Sequence, residues 1–179
     1  MKVSDQAIKL ALQLIKGKSM NQTKYAVLPE GPTSINLMLA QSMTNQFNLN
    51  ILQVPSGTHE VSVVDGEAQV KVIAPRLLGE SRMAARIEHL SEELLELNEA
   101  YEKRDMGETV DGLIDIIYIA ISTLSEMHVN ASRAFSAVHE ANMQKVNGTV
   151  AKRPNAGNHD AVKPEGWKAP DINKAIYGE

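Results

Sequence analysis

The residues Ser81-RMAARIEHLSEELLELNEAYEK-Arg104 carry the strongest structural signal in this chain. Its apolar residues recur at alternating spacings of three and four, which is typical of a helix with one packed face; they are Ile87, Leu90, Leu94, Leu97 and Tyr101. After a break at residues 105–107, a second long helix is predicted from Glu108 to Met127, and Asn130 is expected to cap a third helix from Ala131 to Val146. Because short connections join these long helices, we expect antiparallel neighbours in a helical bundle.

The residues that precede this bundle are of mixed character. Helices are predicted over Asp5–Lys16 and Ser34–Phe47, with a loop over Asn21–Pro32 between them. Residues Glu60–Ile73 change to an alternating β-branched pattern around Asp65-Gly66, which predicts a β-hairpin. A lone two-stranded hairpin is marginal in water, so it must pack on helices or pair with another copy.

Three regions follow from these patterns. Residues 1–74 hold the N-terminal helices and the hairpin, as a dimerisation element or a lid, and residues 75–148 form the helical bundle. Residues 149–179 form a basic tail without periodicity, in which we expect loop. The fold class is therefore mainly α, with one small β-hairpin.

Composition excludes several classes of protein. The 179 residues include no cysteine, which rules out disulfide scaffolds and thiolate metal sites, and no apolar run approaches the length of a membrane span. Seven aromatic residues and the lack of a basic stripe argue against nucleic-acid binding. With no signal-peptide cleavage site visible, we expect a cytoplasmic protein.

Acidic residues are concentrated in the first two bundle helices. Asp115 stands among isoleucines in a helix that is apolar all round, so we expect it to be buried, with Asp111 one turn earlier on the same face. Glu93 and Glu96 are neighbours on the preceding helix. Four carboxylates cannot share a cavity while ionised unless a cation neutralises them, and oxygen ligands favour Mg²⁺, or Mn²⁺ as a substitute.

Simpler explanations exist for the same acids. Arg86 is a possible ion-pair partner of Asp115, and Asp111 is also explained as an acid in the first turn of a helix. The other acids of the Ser81–Arg104 helix point away from its apolar seam and are expected to be solvated; they are Glu88, Glu92, Glu99 and Glu102.

Basic residues downstream complete a possible phosphate site. Asn142 and Lys145 lie on one face of the third helix, and Lys152, Arg153 and Lys163 follow in the tail. Such groups beside a metal-loaded acidic cavity suit a polyphosphate substrate, although a lysine at a helix end also complements the helix dipole. Trp167 is a candidate for covering a base, or else it anchors the tail by packing.

Three blocks together resemble a known family: Arg86-x5-Glu92-Glu93-x2-Glu96-Leu97, Asp111-Gly112-Leu113-x-Asp115-x2-Tyr118-Ile119, and Val138-x3-Asn142-Met143-x-Lys145. They are similar to the MazG-like, phosphoribosyl-ATP pyrophosphohydrolase-like branch of the all-α nucleoside triphosphate pyrophosphatases. The segment Lys163-Pro164-x-Gly166-Trp167-x2-Pro170-Asp171 resembles the closing segment of phage-type members.

The resemblance implies that the metal ligands are Glu93, Glu96, Asp111 and Asp115. Glu92 would support these ligands without binding the metal itself. Many members carry a glutamate where this chain has Gly112, so we expect Asp111 to substitute for it from one residue back. The resemblance also implies hydrolysis between the α- and β-phosphates, and active sites formed between subunits of dimers or tetramers.

The sequence therefore favours an Mg²⁺-dependent nucleotide pyrophosphohydrolase. Glu93 or Glu96 would accept the proton of the attacking water, and Asn142, Lys145, Lys163 and Arg153 would bind the phosphates. The alternative is a helical oligomerisation or regulatory module without catalysis, in which the acidic pairs are solvated.

Overall fold

A computed structural model describes residues 37–65, 67–156 and 159–178 of the chain. Its helices are α1 (Leu37–Asn50), α2 (Glu80–Glu102), α3 (Met106–Glu126), α4 (Ala131–Met143) and α5 (Ile172–Tyr177), and Pro154–Ala156 form one 3-10 turn. Strands β1 (His59–Val64) and β2 (Glu67–Val72) pair antiparallel, as do β3 (Val146–Gly148) and β4 (Asp160–Val162). The prediction of a mainly α fold with a small hairpin is confirmed.

Polar caps determine where the two later bundle helices begin. The Asp105 side chain accepts a hydrogen bond of 3.1 Å from the Glu108 backbone N–H, so Met106 and Gly107 belong to the first turn of α3 rather than to the break. Asn130 caps α4 in the same way, over 3.0 Å to the Arg133 N–H. Satisfied N-terminal donors stabilise a helix by about 1 kcal/mol.

Helices α2 and α3 approach each other closely at Gly112. A Cβ built on this buried glycine would lie 3.3 Å from the Leu97 Cβ, so a longer side chain would push the helices apart. Only part of the predicted apolar seam is in this contact. Leu90 and Leu97 are half-buried, whereas the side chains of three members, Ile87, Leu94 and Tyr101, are exposed.

Helix α1 packs on the bundle through polar side chains. Its buried residues are Gln41, Thr44 and Asn48. The Gln41 Nε2 donates to the Val129 carbonyl over 2.7 Å, and its Oε1 accepts from the Ala131 N–H over 3.0 Å. The predicted helix over Ser34–Phe47 is therefore present from Leu37 and continues to Asn50, while residues 34–36 lie outside the described part.

The hairpin has the predicted position, and the register pairs Val61 with Val70. Its turn includes Asp65 at φ 52°, in the left-handed region that asparagine and aspartate tolerate better than most residues. The predicted helix over Asp5–Lys16 and the loop over Asn21–Pro32 lie outside the described residues.

The C-terminal tail is more ordered than the expected loop, and α4 ends at Met143 rather than Val146. An Arg153–Asp160 ion pair of 2.6 Å accompanies the β3–β4 pair. Asp171 caps α5 through the Lys174 N–H, and Gly178 ends that helix at φ 80°. Side-chain pairing and capping therefore provide local structure where hydropathy has no period.

Within the described residues, no single helix has the length and apolar character needed to cross a membrane. Only α3 and α4 taken together reach that length and composition, and they are bent by 118° at the break between them.

Candidate functional site

Two packed helices carry the predicted metal ligands. Glu93 lies half-buried on the side of α2 that faces α3, and Asp115 of α3 is also half-buried. Glu96 and Asp111 are exposed to solvent at the edge of the same helix pair. The close approach at Gly112 is what allows acids from the two helices to lie near each other.

Asp115 is less buried than the sequence indicates. Three of its apolar neighbours on α3 are themselves about half exposed, namely Leu113 at 48%, Ile114 at 54% and Ile117 at 52%. The expectation of a helix buried all round is wrong for this half of α3, because these three side chains leave its apolar surface exposed.

The carboxylates act on one another electrostatically. Desolvation raises the pKa of the Glu93 carboxyl above its usual value, and the negative charges of four other acids raise it further; in decreasing order these are Asp115, Glu96, Glu92 and Asp111. All of the acids that the sequence selects thus affect this one side chain.

The donor set suits a hard divalent cation in its chemistry and its charge. Carboxylate oxygens are the ligands that Mg²⁺ and Mn²⁺ prefer, and neutralisation by a cation would relieve the repulsion at Glu93. Across residues 37–65, 67–156 and 159–178, however, no three Asp, Glu, His or Cys side chains already stand in a metal-binding arrangement. Ion binding therefore requires these side chains to turn toward one another.

A cavity of about 410 Å³ adjoins Glu93 and Asp115. Its apolar wall consists of Phe47, Leu52, Tyr118 and Ile119, and its polar residues are Arg82, Arg86, His89, Glu93, Asp115 and Ser122. The rings of Phe47 and Tyr118 meet edge to face, with their centroids 5.6 Å apart. This volume lies within the range of small-molecule sites.

Arg86 pairs with Glu126 and not with Asp115, so the simpler explanation of Asp115 as an ion-pair partner of Arg86 is wrong. Its buried guanidinium donates to Glu126 and, over 3.0 Å, to the Ser122 Oγ. Arg82 donates to both oxygens of Glu126, over 2.8 and 2.9 Å. Burial lowers the pKa of Arg86 from its usual value, and the charge of Arg82 adds to that effect.

Sequence reasoning missed Glu126. One signal could have found it, because a glutamate in the last turn of a helix faces the negative end of the helix dipole and therefore needs a cationic partner. Arg82 and Arg86, one turn apart on α2, are those partners.

A second missed contact joins α1 to α3. The Ser122 Oγ donates to the Asn48 Oδ1 over 2.6 Å, and the Asn48 Nδ2 donates to the Ser122 carbonyl over 3.1 Å and to the Ser56 Oγ over 2.8 Å. Asn48 is completely buried. Hydropathy gives no sign of this contact, since both residues read as surface residues.

Two of the basic candidates lie against the ring of Trp167. The ammonium groups of Lys145 and Lys163 lie 5.7 and 4.4 Å from the centre of its ring, and the Trp167 Nε1 donates to the Ala141 carbonyl over 2.8 Å. Arg153 is engaged by Asp160, and Asn142 is exposed. The described residues that line the 410 Å³ cavity include none of these candidates, so their role toward phosphate stays a prediction.

A family model matches the segment that carries the acidic helices. Residues 66–142 match the sequence model of the family described as phosphoribosyl-ATP pyrophosphohydrolase. No curated protein matches the chain significantly. The matched segment contains Glu92, Glu93, Glu96, Asp111 and Asp115, and the family description points to a hydrolase that acts as a nucleotide pyrophosphohydrolase. Residues 66–142 are therefore similar to the phosphoribosyl-ATP pyrophosphohydrolase family, which is consistent with the resemblance of the sequence to the MazG-like all-α group.

Proposed function

We propose that this protein is an Mg²⁺-dependent pyrophosphohydrolase that cleaves a nucleoside triphosphate, or a related nucleotide, between its α- and β-phosphates. The observation that carries the proposal is the position of Glu93 and Asp115, on two different helices of the matched domain and on the rim of one cavity. A substrate in that cavity would place its phosphates beside the acidic cluster.

The reaction consumes one water. The water oxygen bonds to one of the two phosphorus atoms, the bridging P–O bond breaks, and the products are a nucleoside monophosphate and pyrophosphate. Glu93 or Glu96 would accept the proton that the water loses.

The cation would be held by Glu93, Glu96, Asp111 and Asp115. Glu92 would support these ligands without contacting the cation. When bound there, Mg²⁺ supplies charge neutralisation at the phosphate oxygens and lowers the pKa of water. Lys145 and Lys163, with Arg153 and Asn142, are the residues that we assign to the distal phosphates.

We further propose that the protein works as a homodimer or homotetramer. On α2 the exposed residues Ile87, Leu94 and Tyr101 recur every seven positions, and on α3 the residues Ile114 and Ile117 are exposed as well. A monomeric protein rarely leaves a large apolar patch uncovered, and heptad spacing is typical of a helix–helix seam. A second copy would cover both stripes and bury Asp115 more deeply.

Release of pyrophosphate from the common ribo- and deoxyribonucleoside triphosphates and phosphoribosyl-ATP, with and without Mg²⁺, tests the activity. Thermal melting of the wild type and Asp115→Asn tests the cation site, since ligand that binds only the native state stabilises it. We expect millimolar Mg²⁺ to raise the melting temperature of the wild type but not of the variant. Release from no nucleotide, with melting indifferent to Mg²⁺, would instead support the non-catalytic oligomerisation module.

A further inference from the structure

One wall of the 410 Å³ cavity comes from outside the family match. Phe47 belongs to α1 and Leu52 follows it in the chain, whereas the matched segment begins at residue 66. Other lining residues, among them Tyr118 and the acids Glu93 and Asp115, come from inside the match. A segment that the family model does not include thus completes the cavity beside the acidic cluster.

The two sides of this cavity differ in chemistry. Phe47, Leu52, Tyr118 and Ile119 present apolar surface and no charge. The carboxylates of Glu93 and Asp115 would repel phosphate unless a cation intervenes. An occupant that satisfies both sides has one uncharged, apolar end and one end that reaches the acidic cluster.

The Phe47 and Tyr118 rings make the apolar wall suitable for a flat group. They stand edge to face at 82°, and both side chains are half-buried, so part of each ring faces open space. Aromatic rings bind planar heterocycles through stacked and edge-to-face contacts. The flat, uncharged end of a nucleotide is its base, whose faces can stack on apolar surface.

The wall is also held in place before any ligand binds. Asn48, next to Phe47, is fixed by its hydrogen bonds to Ser122 and Ser56, and the Val54 N–H donates to the Asn48 carbonyl over 3.0 Å. Helix α1 and the turn that carries Leu52 are therefore tied to the bundle. Because this wall is already ordered, less conformational entropy is lost when a ligand binds to it.

We propose that Phe47 and Leu52 are specificity-determining residues that contact the base of the nucleotide, so that α1 selects the substrate of the matched domain. The inference rests on the proposed function, because the cavity is assigned to a nucleotide. It adds that the base is the part of the nucleotide that enters the cavity, and that α1 and the turn after it recognise this base.

Steady-state hydrolysis by Phe47→Ala and Leu52→Ala tests the proposal, with each of the common nucleoside triphosphates as substrate. Loss of a base–aromatic contact is expected to raise KM about tenfold for the preferred base with Phe47→Ala, and less for poor substrates, so that the range of kcat/KM across bases narrows. Leu49→Ala is the matched control, since Leu49 lies on the same helix, is exposed and does not line the cavity.

A second measurement does not depend on turnover. Binding of nucleoside monophosphates and of inorganic pyrophosphate is measured by calorimetry in the presence of Mg²⁺. We expect Phe47→Ala to weaken monophosphate binding and to leave pyrophosphate binding unchanged.

The outcomes separate the two proposals. An active wild type whose Phe47→Ala and Leu52→Ala variants keep the KM values and base profile of Leu49→Ala would overturn the assignment of α1 but leave the activity standing. A wild type that hydrolyses no nucleotide would overturn the proposed function, and equal weakening of monophosphate and pyrophosphate binding would show that Phe47 acts only through the fold.

Discussion

The first half of α3, up to Ile117, and the second half, from Tyr118 onward, differ in sequence and in burial. The second half contains polar residues such as Ser122, Ser125 and Glu126, and these are buried. The first half contains Asp115 between isoleucines, and much of its apolar surface is exposed. Burial along this helix therefore follows where α1 and α2 lie, not the local hydropathy.

The two halves also differ in how their charges are compensated. Glu126 is paired with Arg82 and Arg86, so the second half balances an acid with cations of the same chain. In the first half, Asp115 and Asp111 meet other acids and raise the pKa of Glu93. The first half is therefore where we place the cation and the second copy of the chain.

Removing the balanced charge should have the largest effect. Glu126→Ala leaves the Arg86 guanidinium, which is 3% exposed, buried without its carboxylate. Breaking such a pair costs about 3–5 kcal/mol, so we expect a large fall in the urea midpoint. The control is Glu99→Ala, whose ion pair with Lys103 is exposed and should contribute less than about 1 kcal/mol. Equal midpoints for the two variants would show that the buried pair is unimportant.

On α2, which lies beside the unbalanced half of α3, we expect Glu96→Gln to reduce pyrophosphate release by about 100-fold or more while the helical circular dichroism is kept. The reason is that Glu96 is exposed, so its loss should leave the fold intact, while the proposed function assigns it to the cation and the attacking water. Glu88→Gln is the matched control, since Glu88 is an exposed acid of the same helix and is not among the acids that raise the Glu93 pKa. Near-wild-type turnover of Glu96→Gln would mean that the site lies elsewhere.

A charge on the uncovered stripe should act on assembly. We expect Ile117→Glu to raise the dissociation constant of the oligomer by at least about tenfold, because an unpaired charge would be desolvated in the interface. Sedimentation velocity measures the change, and Leu77→Glu, at an exposed position outside the two stripes, serves as the comparison. Identical sedimentation of both variants and the wild type would contradict the proposed interface.

The smallest effect concerns Glu93 and pH. Because its pKa is raised in the folded state, the folded protein binds this proton more tightly than the unfolded chain, and the stability it contributes is lost as pH rises through the raised pKa. With chelator present at neutral pH, Glu93→Gln should therefore have a slightly higher melting temperature than the wild type. The corresponding gain in the free energy of unfolding should be less than about 1 kcal/mol, because solvent screens the charges. The difference should vanish in acid, below the ordinary glutamate range. A lower melting temperature for the variant at neutral pH would contradict the repulsion between Glu93 and the neighbouring acids.

Much of the site could be predicted from spacing. Glu93 and Glu96 are three apart and Asp111 and Asp115 are four apart, so each pair shares a helix face whatever the rest of the chain does. The partner of Arg86 could not be predicted, because Glu126 is forty positions away and the choice between it and Asp115 depends on how α2 and α3 are aligned.

Local interactions account for the long helices, the hairpin at Asp65 and the concentration of acids on two helices. Helical periodicity, caps and turn residues act within a few positions of one another, so they can be read from the sequence. Which helix faces are buried depends on tertiary packing: α2 has apolar residues on more than one side, and α1 is held by Gln41 and Asn48 rather than by its methionines. The reason is that burial depends on the neighbouring element, and a polar face whose hydrogen bonds are all made can be buried as well as an apolar one.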